Sequence, residues 1–220
     1  MSRAPVIAID GAAGSGKSTL ARGLARATGL PYVNTGLMYR ALTVAALECG
    51  VEPEDEEALA ALMSTLRFGL AGADPAELSI EGSAGSPSPA SLTGPEVEAT
   101  VSAVSRHPRV RELMRDVQRT LGREGAVMEG RDIASVVFPE APLKIYLVAD
   151  PAIRADRRAA ERPGERIDDA LLARDAIDAS VNAFEPQPDA VVIDTTALDV
   201  DATVAAALEI VRARLPEVLT

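Results

Sequence analysis

The strongest constraint on this chain is a glycine-rich segment that stands between a short apolar run and a helical pattern. Residues 11–18 read Gly-Ala-Ala-Gly-Ser-Gly-Lys-Ser and fit the pattern G-x-x-x-x-G-K-[ST]. Before them, residues 6–9 have the length and β-branched composition of a buried parallel strand. After them, leucines recur on one face of a predicted helix at residues 17–28, which Gly29 ends. The order of strand, loop and helix is the one that a phosphate-binding loop requires.

The chemistry of such a loop comes mainly from its main chain. Glycine lets the backbone close into a ring of inward-facing N–H groups, and the helix N-terminus adds partial positive charge. We expect Lys17 to reach the β- and γ-phosphates of ATP, and the Ser18 hydroxyl to help hold Mg²⁺. Asp10 and Glu129 could orient waters of that ion, or they could simply be the last residues of their strands. The predicted ATP-binding residues are Gly11, Ala12, Ala13, Gly14, Ser15, Gly16, Lys17, Ser18 and Thr19.

The rest of the chain alternates between strand and helix patterns. Further strands are predicted at 30–33, 126–129, 143–148 and 190–193, and further helices at 37–49, 56–66, 95–107, 110–121 and 200–215. This alternation predicts an α/β fold, a three-layer sandwich with a parallel five-stranded sheet, in one domain over residues 1–220. Between residues 67 and 95, Gly, Ser and Pro become frequent, which indicates a loop or a small β-rich insert.

Composition narrows the possible partners. The net charge of −11 disfavours a nucleic-acid polymer, although a local cluster of basic residues can still bind a small phosphorylated ligand.

No apolar run is long enough to span a bilayer and no signal peptide begins the chain, so we expect a cytoplasmic protein, and a monomer. Cys49, the only cysteine, is expected to be a buried structural thiol, and His107, the only histidine, to end a helix.

A second anion site would distinguish a kinase from other proteins with this loop. GTPases also read guanine with N/T-K-x-D, which is absent from the sequence. Two segments follow predicted strands and carry suitable residues: Thr35 can cap a helix that includes Arg40, and Arg131 and Asp132 follow the strand at 126–129. Each of these residues could instead be an ordinary solvated helix residue or a member of a surface ion pair, with no role in binding.

Taken together, these segments resemble one family. The glycine-rich loop, T-G-L-M-Y-R at 35–40, P-R-V-R at 108–111 and G-R-D-I-A-S-V-V-F-P at 130–139 are similar, in the same order, to segments of bacterial cytidylate kinases. The resemblance runs from about residue 6 to residue 194. It implies transfer of the γ-phosphoryl group of ATP to CMP or dCMP with Mg²⁺. It also implies a monophosphate-binding insertion at 36–115, whose β-rich part is about 67–95.

The resemblance also implies roles for individual residues. Thr35, Arg40 and Arg131 would hold the monophosphate, and Ser102, Arg111 and Asp132 would read the cytosine edge, while Arg174 and Asp178 would lie near the sugar. A kinase of another small acceptor, such as UMP or AMP, and a non-catalytic ATP-binding regulator stay open as alternatives.

An arginine-rich segment at 154–178 is either a solvated helix face or a lid that closes over the transferring phosphoryl group. Phosphoryl transfer needs charge neutralisation and exclusion of water, which favours the lid. Arg157 and Arg158 match the Arg-Arg pair of the family and, with Lys17 and Arg131, form the predicted catalytic set. Three segments depart from the family pattern: Val181 stands where an arginine is usual, the segment 184–188 is altered, and Ile133-Ala134-Ser135 stands where a Gly-Thr pair is favoured.

Overall fold

The computed structural model describes residues 4–73, 75–82, 85–161 and 185–219 of the chain. In chain order its elements are β1 (Val6–Gly11), α1 (Lys17–Thr28), β2 (Tyr32–Asn34), α2 (Thr35–Cys49), α3 (Glu56–Met63), β3 (Arg67–Ala71), β4 (Glu77–Glu81), α4 (Pro89–Leu92), α5 (Pro95–Ser105), α6 (Pro108–Leu121), β5 (Ala126–Gly130), β6 (Leu143–Val148), α7 (Pro151–Glu161), β7 (Val191–Asp194) and α8 (Val200–Arg214). A π-helical turn, Ile133–Val137, follows β5, and a 3₁₀ turn, Pro216–Val218, follows α8.

The described strands form one sheet in the order β3-β4-β2-β5-β1-β6-β7. The five strands predicted from the sequence, β2, β5, β1, β6 and β7, are all parallel. The sheet has two further strands: β4 pairs in parallel with β2 through Tyr32 and Glu77, and β3 is antiparallel to β4. The predicted count of five was therefore too low. Both added strands lie in the insert and are largely exposed or half-buried, so their apolar pattern is weak.

Helices cover both faces of the sheet, as the three-layer prediction required. Along β1 the side chains alternate: Ile7 and Ile9 pack with α1 and α8, while Ala8 packs in the cluster formed with α2, α3 and α6. The middle strands are buried on both faces, which explains their continuous apolar sequences.

Three details near the ends of α2 and α6 refine the sequence predictions. Asn34, not Thr35, caps α2, because its side chain accepts a hydrogen bond from the N–H of Leu37 at 3.1 Å. Cys49 is exposed rather than buried, because the last turn of α2 faces solvent. His107 does not end a helix as predicted: α5 stops at Ser105, and His107 precedes α6, with its Nε2 2.7 Å from the carbonyl oxygen of Pro53.

The sheet topology places the functional segments together. Because β1, β2 and β5 are adjacent and parallel, the loops after Gly11, Asn34 and Gly130 leave the same edge of the sheet. Within the described ranges, no helix is both long and apolar enough to cross a bilayer.

Candidate active site

The glycine-rich loop has the backbone conformation that anion binding requires. Gly14 has φ +74° and Gly16 has φ +93°, a left-handed region that favours glycine. Helix α1 begins directly after Gly16, and no side chain caps its N-terminus. The N–H groups of its first turn therefore point toward the loop opening, where an anion would accept from them.

Gly14 also has a packing reason to be glycine. A Cβ atom at this position would lie 2.8 Å from the carbonyl oxygen of Arg154, at the start of α7. The side chain of Arg154 is buried and donates to the carbonyl oxygen of Ala13 at 3.1 Å. Helix α7 thus rests on the outside of the loop and holds its shape.

Lys17 lies where it could neutralise a bound phosphate. Its Nζ donates to the carbonyl oxygen of Ala12 at 2.8 Å. Burial, followed by the charge of Arg131, lowers the pKa of Lys17 to about 7. A phosphate in this position would favour the charged ammonium, so the site is electrostatically prepared for an anion.

Ser18 and Glu129 form an oxygen-rich pair beside Lys17. The Ser18 hydroxyl donates to the Glu129 carboxylate at 3.0 Å, and the Tyr32 hydroxyl donates to the other carboxylate oxygen at 2.5 Å. Hydroxyl and carboxylate oxygens are ligands that suit Mg²⁺, directly or through its waters. Across the described ranges no cluster of three or more His, Cys, Asp or Glu side chains could hold a metal.

A cleft of about 300 Å³ opens between the loop and the segments that follow β2 and β5. The predicted residues that line it are Ala13, Gly14, Gly16, Lys17, Ser18, Thr19, Thr35, Arg40, Ser102, Arg111, Arg131, Asp132 and Arg158. Gly11, Ala12 and Ser15 belong to the loop but do not line this cleft. One cavity thus brings both predicted sites together.

Arg40 is held in the cleft wall by two acceptors. It is buried, donates to the carbonyl oxygen of Leu92 at 3.0 Å and forms an ion pair with Glu98. Both acceptors come from the segment that includes α4 and α5, so the insert orients this guanidinium.

Arg111 and Asp132 meet on the far side of the cleft. The guanidinium of Arg111 lies 2.6 Å from an Asp132 carboxylate oxygen and 3.5 Å from the carbonyl oxygen of Ser105. Burial raises the pKa of Asp132, and the charges of Arg111 and Arg115 oppose that rise. Ser102, which is also buried, lines the same cleft. A guanidinium donor and a carboxylate acceptor therefore lie side by side in the cleft wall.

Thr35 and Gly130 fix the junction between the two halves of the cleft. The Thr35 hydroxyl donates to the carbonyl oxygen of Glu129 at 2.8 Å. A Cβ atom at Gly130 would lie 2.6 Å from that hydroxyl oxygen, so the contact requires glycine. Arg131, the next residue, lines the cleft and is close enough to Lys17 to lower its pKa.

Comparison with known proteins agrees with this geometry. The family model described as Cytidylate kinase matches residues 7–213 of the chain. A cytidylate kinase of Thermus thermophilus is 44% identical over 212 residues, which cover 94% of this chain and 98% of that protein. The chain belongs to the cytidylate kinase family. A second member, from Deinococcus deserti, is 42% identical and covers 91% of this chain and 96% of its own.

Another relative places the family domain in a longer chain. The bifunctional pantoate ligase/cytidylate kinase of a Synechococcus species is 39% identical over 98% of this chain, which spans 44% of that protein. The present chain therefore corresponds to part of that relative.

The two arginines predicted from the family's Arg-Arg pair lie in different places. Arg158 lines the cleft, and its charge contributes to the low pKa of Lys17. Arg157 does not line it: its guanidinium donates to the hydroxyl and carbonyl oxygens of Thr195 at 3.1 and 2.7 Å. Thr195 in turn donates to the carbonyl oxygen of Ser15 at 3.1 Å. Arg157 therefore supports the phosphate loop from behind in this structure. Arg174, Asp178 and Val181 lie outside the described residues.

The sequence analysis did not assign a role to two residues at this site, Tyr39 and Glu98. Tyr39 lines the cleft, and burial raises the pKa of its hydroxyl, which bonds Gln118. Glu98 was not singled out, although it pairs with Arg40. Only Tyr39 carried a signal, because it lies inside the T-G-L-M-Y-R segment.

Proposed function

We propose that this chain transfers the γ-phosphoryl group of ATP to CMP or dCMP, and so forms ADP and CDP or dCDP. Membership of the cytidylate kinase family supports an enzyme with this reaction. The observation that carries the proposal in the structure is a single cleft with a phosphate loop on one side and the Arg111–Asp132 pair on the other. Donor and acceptor would then meet within one shared cleft.

On the donor side, loop N–H groups and Lys17 would hold the β- and γ-phosphates. We assign Ser18, together with Glu129 through water, to the Mg²⁺ ion that accompanies ATP. When bound, that ion neutralises charge on the phosphate oxygens. Lys17, Arg131 and Arg158 would add positive charge around the transferring group, which is the main catalytic contribution that a protein makes in this chemistry.

On the acceptor side, Thr35, Arg40 and Arg131 are assigned to the monophosphate. Arg40 already holds Glu98 with part of its guanidinium, and a fork of this kind can bind a carboxylate and a phosphate oxygen through different N–H groups. The carbonyl of Leu92 and the carboxylate of Glu98 would keep the side chain in place as the acceptor enters.

The base would be read by Ser102, Arg111 and Asp132. Cytosine has an amino donor beside two acceptors, so the carboxylate of Asp132 can accept from the amino group while Arg111 and Ser102 donate to the ring acceptors. Uracil has a carbonyl in the place of the amino group, and this would face Asp132. A mispaired buried group of this kind costs several kcal/mol, which gives about 10²–10⁴-fold discrimination.

A coupled assay with CMP, dCMP, UMP and AMP tests the proposal directly. We expect turnover of CMP and dCMP well above that of UMP and AMP. The Asp132→Ala variant should lose most CMP turnover, about 100-fold or more in kcat/KM, while ATP still binds. An unchanged preference for CMP over UMP in that variant would refute the base contact, and ATP binding without turnover of any monophosphate would favour a regulator.

Several wider assignments rest on the same proposal. We assign residues 36–115 to monophosphate binding and residues 154–178 to a lid, with Arg174 and Asp178 near the sugar. A monomeric state and a cytoplasmic location stay predictions.

A further inference from the structure

Asp10 is a buried carboxylate near the end of β1 that does not line the cleft. Its residue is only 4% exposed. One carboxylate oxygen accepts a hydrogen bond from the N–H of Ile133 at 2.9 Å, and the other accepts from the N–H of Ala134 at 2.7 Å. These are the first two residues of the π-helical turn after Asp132. A side chain 123 residues distant in sequence from Ile133 therefore caps this turn.

The residue that precedes the turn would ordinarily cap it. Aspartate is among the preferred N-cap residues, because its carboxylate accepts from the N–H groups of the first turn. Asp132 occupies this position but makes no side-chain capping bond. Its carboxylate instead pairs with Arg111 and lines the cleft. With the first N–H groups of the turn bound to Asp10, the carboxylate of Asp132 is available to the cleft.

We propose that Asp10 is a positioning residue for acceptor recognition: by capping the turn in place of Asp132, it keeps the Asp132 carboxylate aimed at the acceptor base. The preference for CMP over UMP then depends on Asp10, although Asp10 touches neither nucleotide. This inference rests on the proposed function, because it deepens the role given there to Asp132.

The chemistry of the contact explains why the residue is an aspartate. Burial raises the pKa of Asp10 to about 6, although both backbone hydrogen bonds and Lys17 oppose the rise. An asparagine would avoid this buried charge, but its amide NH₂ would face one of the two N–H donors. With one side-chain oxygen facing each donor, only a carboxylate accepts both hydrogen bonds. A buried charge retained at a cost to stability is typical of a functional site.

The Asp10→Asn variant tests the inference, with Val211→Ala as a control for a general loss of stability. Val211 is fully buried in the cluster around α1 and α8, on the other side of the sheet. We expect Asp10→Asn to lower the ratio of kcat/KM for CMP to kcat/KM for UMP by about tenfold or more, mainly through the KM for CMP. The KM for ATP should change by less than about threefold, and Val211→Ala should keep the wild-type ratio. A wild-type ratio in Asp10→Asn would overturn the inference.

A double variant sharpens the test. If Asp10 acts through Asp132, the Asp10→Asn substitution should change the ratio little further once Asp132 is already alanine. Independent, multiplicative losses in the double variant would contradict the proposed route.

Hydrogen exchange of the wild-type protein tests the cap independently of catalysis. This measurement needs no variant, so it is still possible if Asp10→Asn fails to fold. The amides of Ile133 and Ala134 should exchange about as slowly as amides in the β1–β5 ladder. Exchange at the rate of exposed loop amides would overturn the inference. Failure of the wild type to phosphorylate CMP would instead overturn the proposed function, and the exchange rates would still decide whether Asp10 caps the turn.

Discussion

The phosphate loop and the proposed acceptor pocket share one cleft but are built in opposite ways. The loop is a continuous run of main chain between β1 and α1, and its glycines set its shape. The pocket is assembled from side chains on α2, α5 and α6 and on the segment after β5. The loop therefore depends on local backbone geometry, whereas the pocket depends on the packing of the whole fold.

This difference predicts how each region fails. A change in the loop should abolish catalysis or ATP binding whatever the acceptor. A change in the pocket should alter the choice among acceptors and leave ATP binding intact. The predictions that follow are arranged from the largest expected effect to the smallest.

Lys17→Ala should have the largest effect. The variant lacks the half-buried ammonium that would neutralise the transferring phosphoryl group, so kcat should fall by about 10³-fold or more. The measurement is the initial rate with CMP and saturating ATP. The KM for CMP should stay within a few-fold of wild type, and a kcat within tenfold of wild type would show that Lys17 is not catalytic.

Asp10 lies in β1, just before the phosphate loop, and accepts hydrogen bonds from the turn after Asp132. Its ionisation should make the free energy of unfolding depend on pH. Burial raises the pKa of Asp10 from 3.8 to about 6 in the folded chain, although the two backbone hydrogen bonds and the charge of Lys17 oppose the rise. Because the folded chain binds this proton more tightly, the free energy of unfolding should fall by up to about 3 kcal/mol as pH rises from about 4 to above 6. Urea unfolding of wild type and Asp10→Asn at pH about 4.5 and 7 measures this. The two proteins should differ in that slope, and parallel pH profiles would contradict the prediction.

Gly14→Ala and Gly50→Ala form a matched pair, since both glycines have positive φ. A Cβ atom at Gly14 would meet the carbonyl of Arg154 at 2.8 Å, whereas nothing lies within 4 Å of one at Gly50. Gly14→Ala should therefore weaken ATP binding about 100-fold, and Gly50→Ala should only reduce stability by about 1 kcal/mol. Calorimetric titration with ATP compares them, and equal affinities would argue against a loop shaped by α7.

Arg157 and Arg158 are adjacent in the sequence, and their alanine variants should have different effects. Arg158 lines the cleft, so its loss should lower kcat by about 10- to 100-fold. Arg157 holds Thr195 behind the loop, so its loss should mainly lower the melting temperature. A larger fall in kcat for Arg157→Ala than for Arg158→Ala would reverse these assignments and indicate that Arg157 moves into the cleft during turnover.

The same contrast explains what the sequence could predict. The loop was predicted residue by residue, because its pattern, strand and helix are contiguous, and the five parallel strands were predicted because buried strands have continuous apolar sequences. The residues proposed to bind the acceptor could be named only from the resemblance to a family, since no local pattern brings Arg111 to Asp132.

The remaining differences have physical causes. The pairing of Glu98 with Arg40 depends on how α5 packs against α2. The edge strands β3 and β4 carry too weak an apolar pattern to be distinguished from loops. Asn34 and Thr35 are both good capping residues, and only the structure shows that Thr35 is bound to the carbonyl oxygen of Glu129.

The most direct test of the central claim, that the two sites face each other in one cleft, is binding of a ligand in which adenosine and cytidine are joined by a polyphosphate chain. Isothermal titration should give one ligand per chain, and the ligand should compete with both ATP and CMP. Lys17→Ala and Asp132→Ala should each weaken its binding. Competition with only one of the two nucleotides would contradict the account, because the phosphate loop and the Asp132 pocket would then not open onto a shared space.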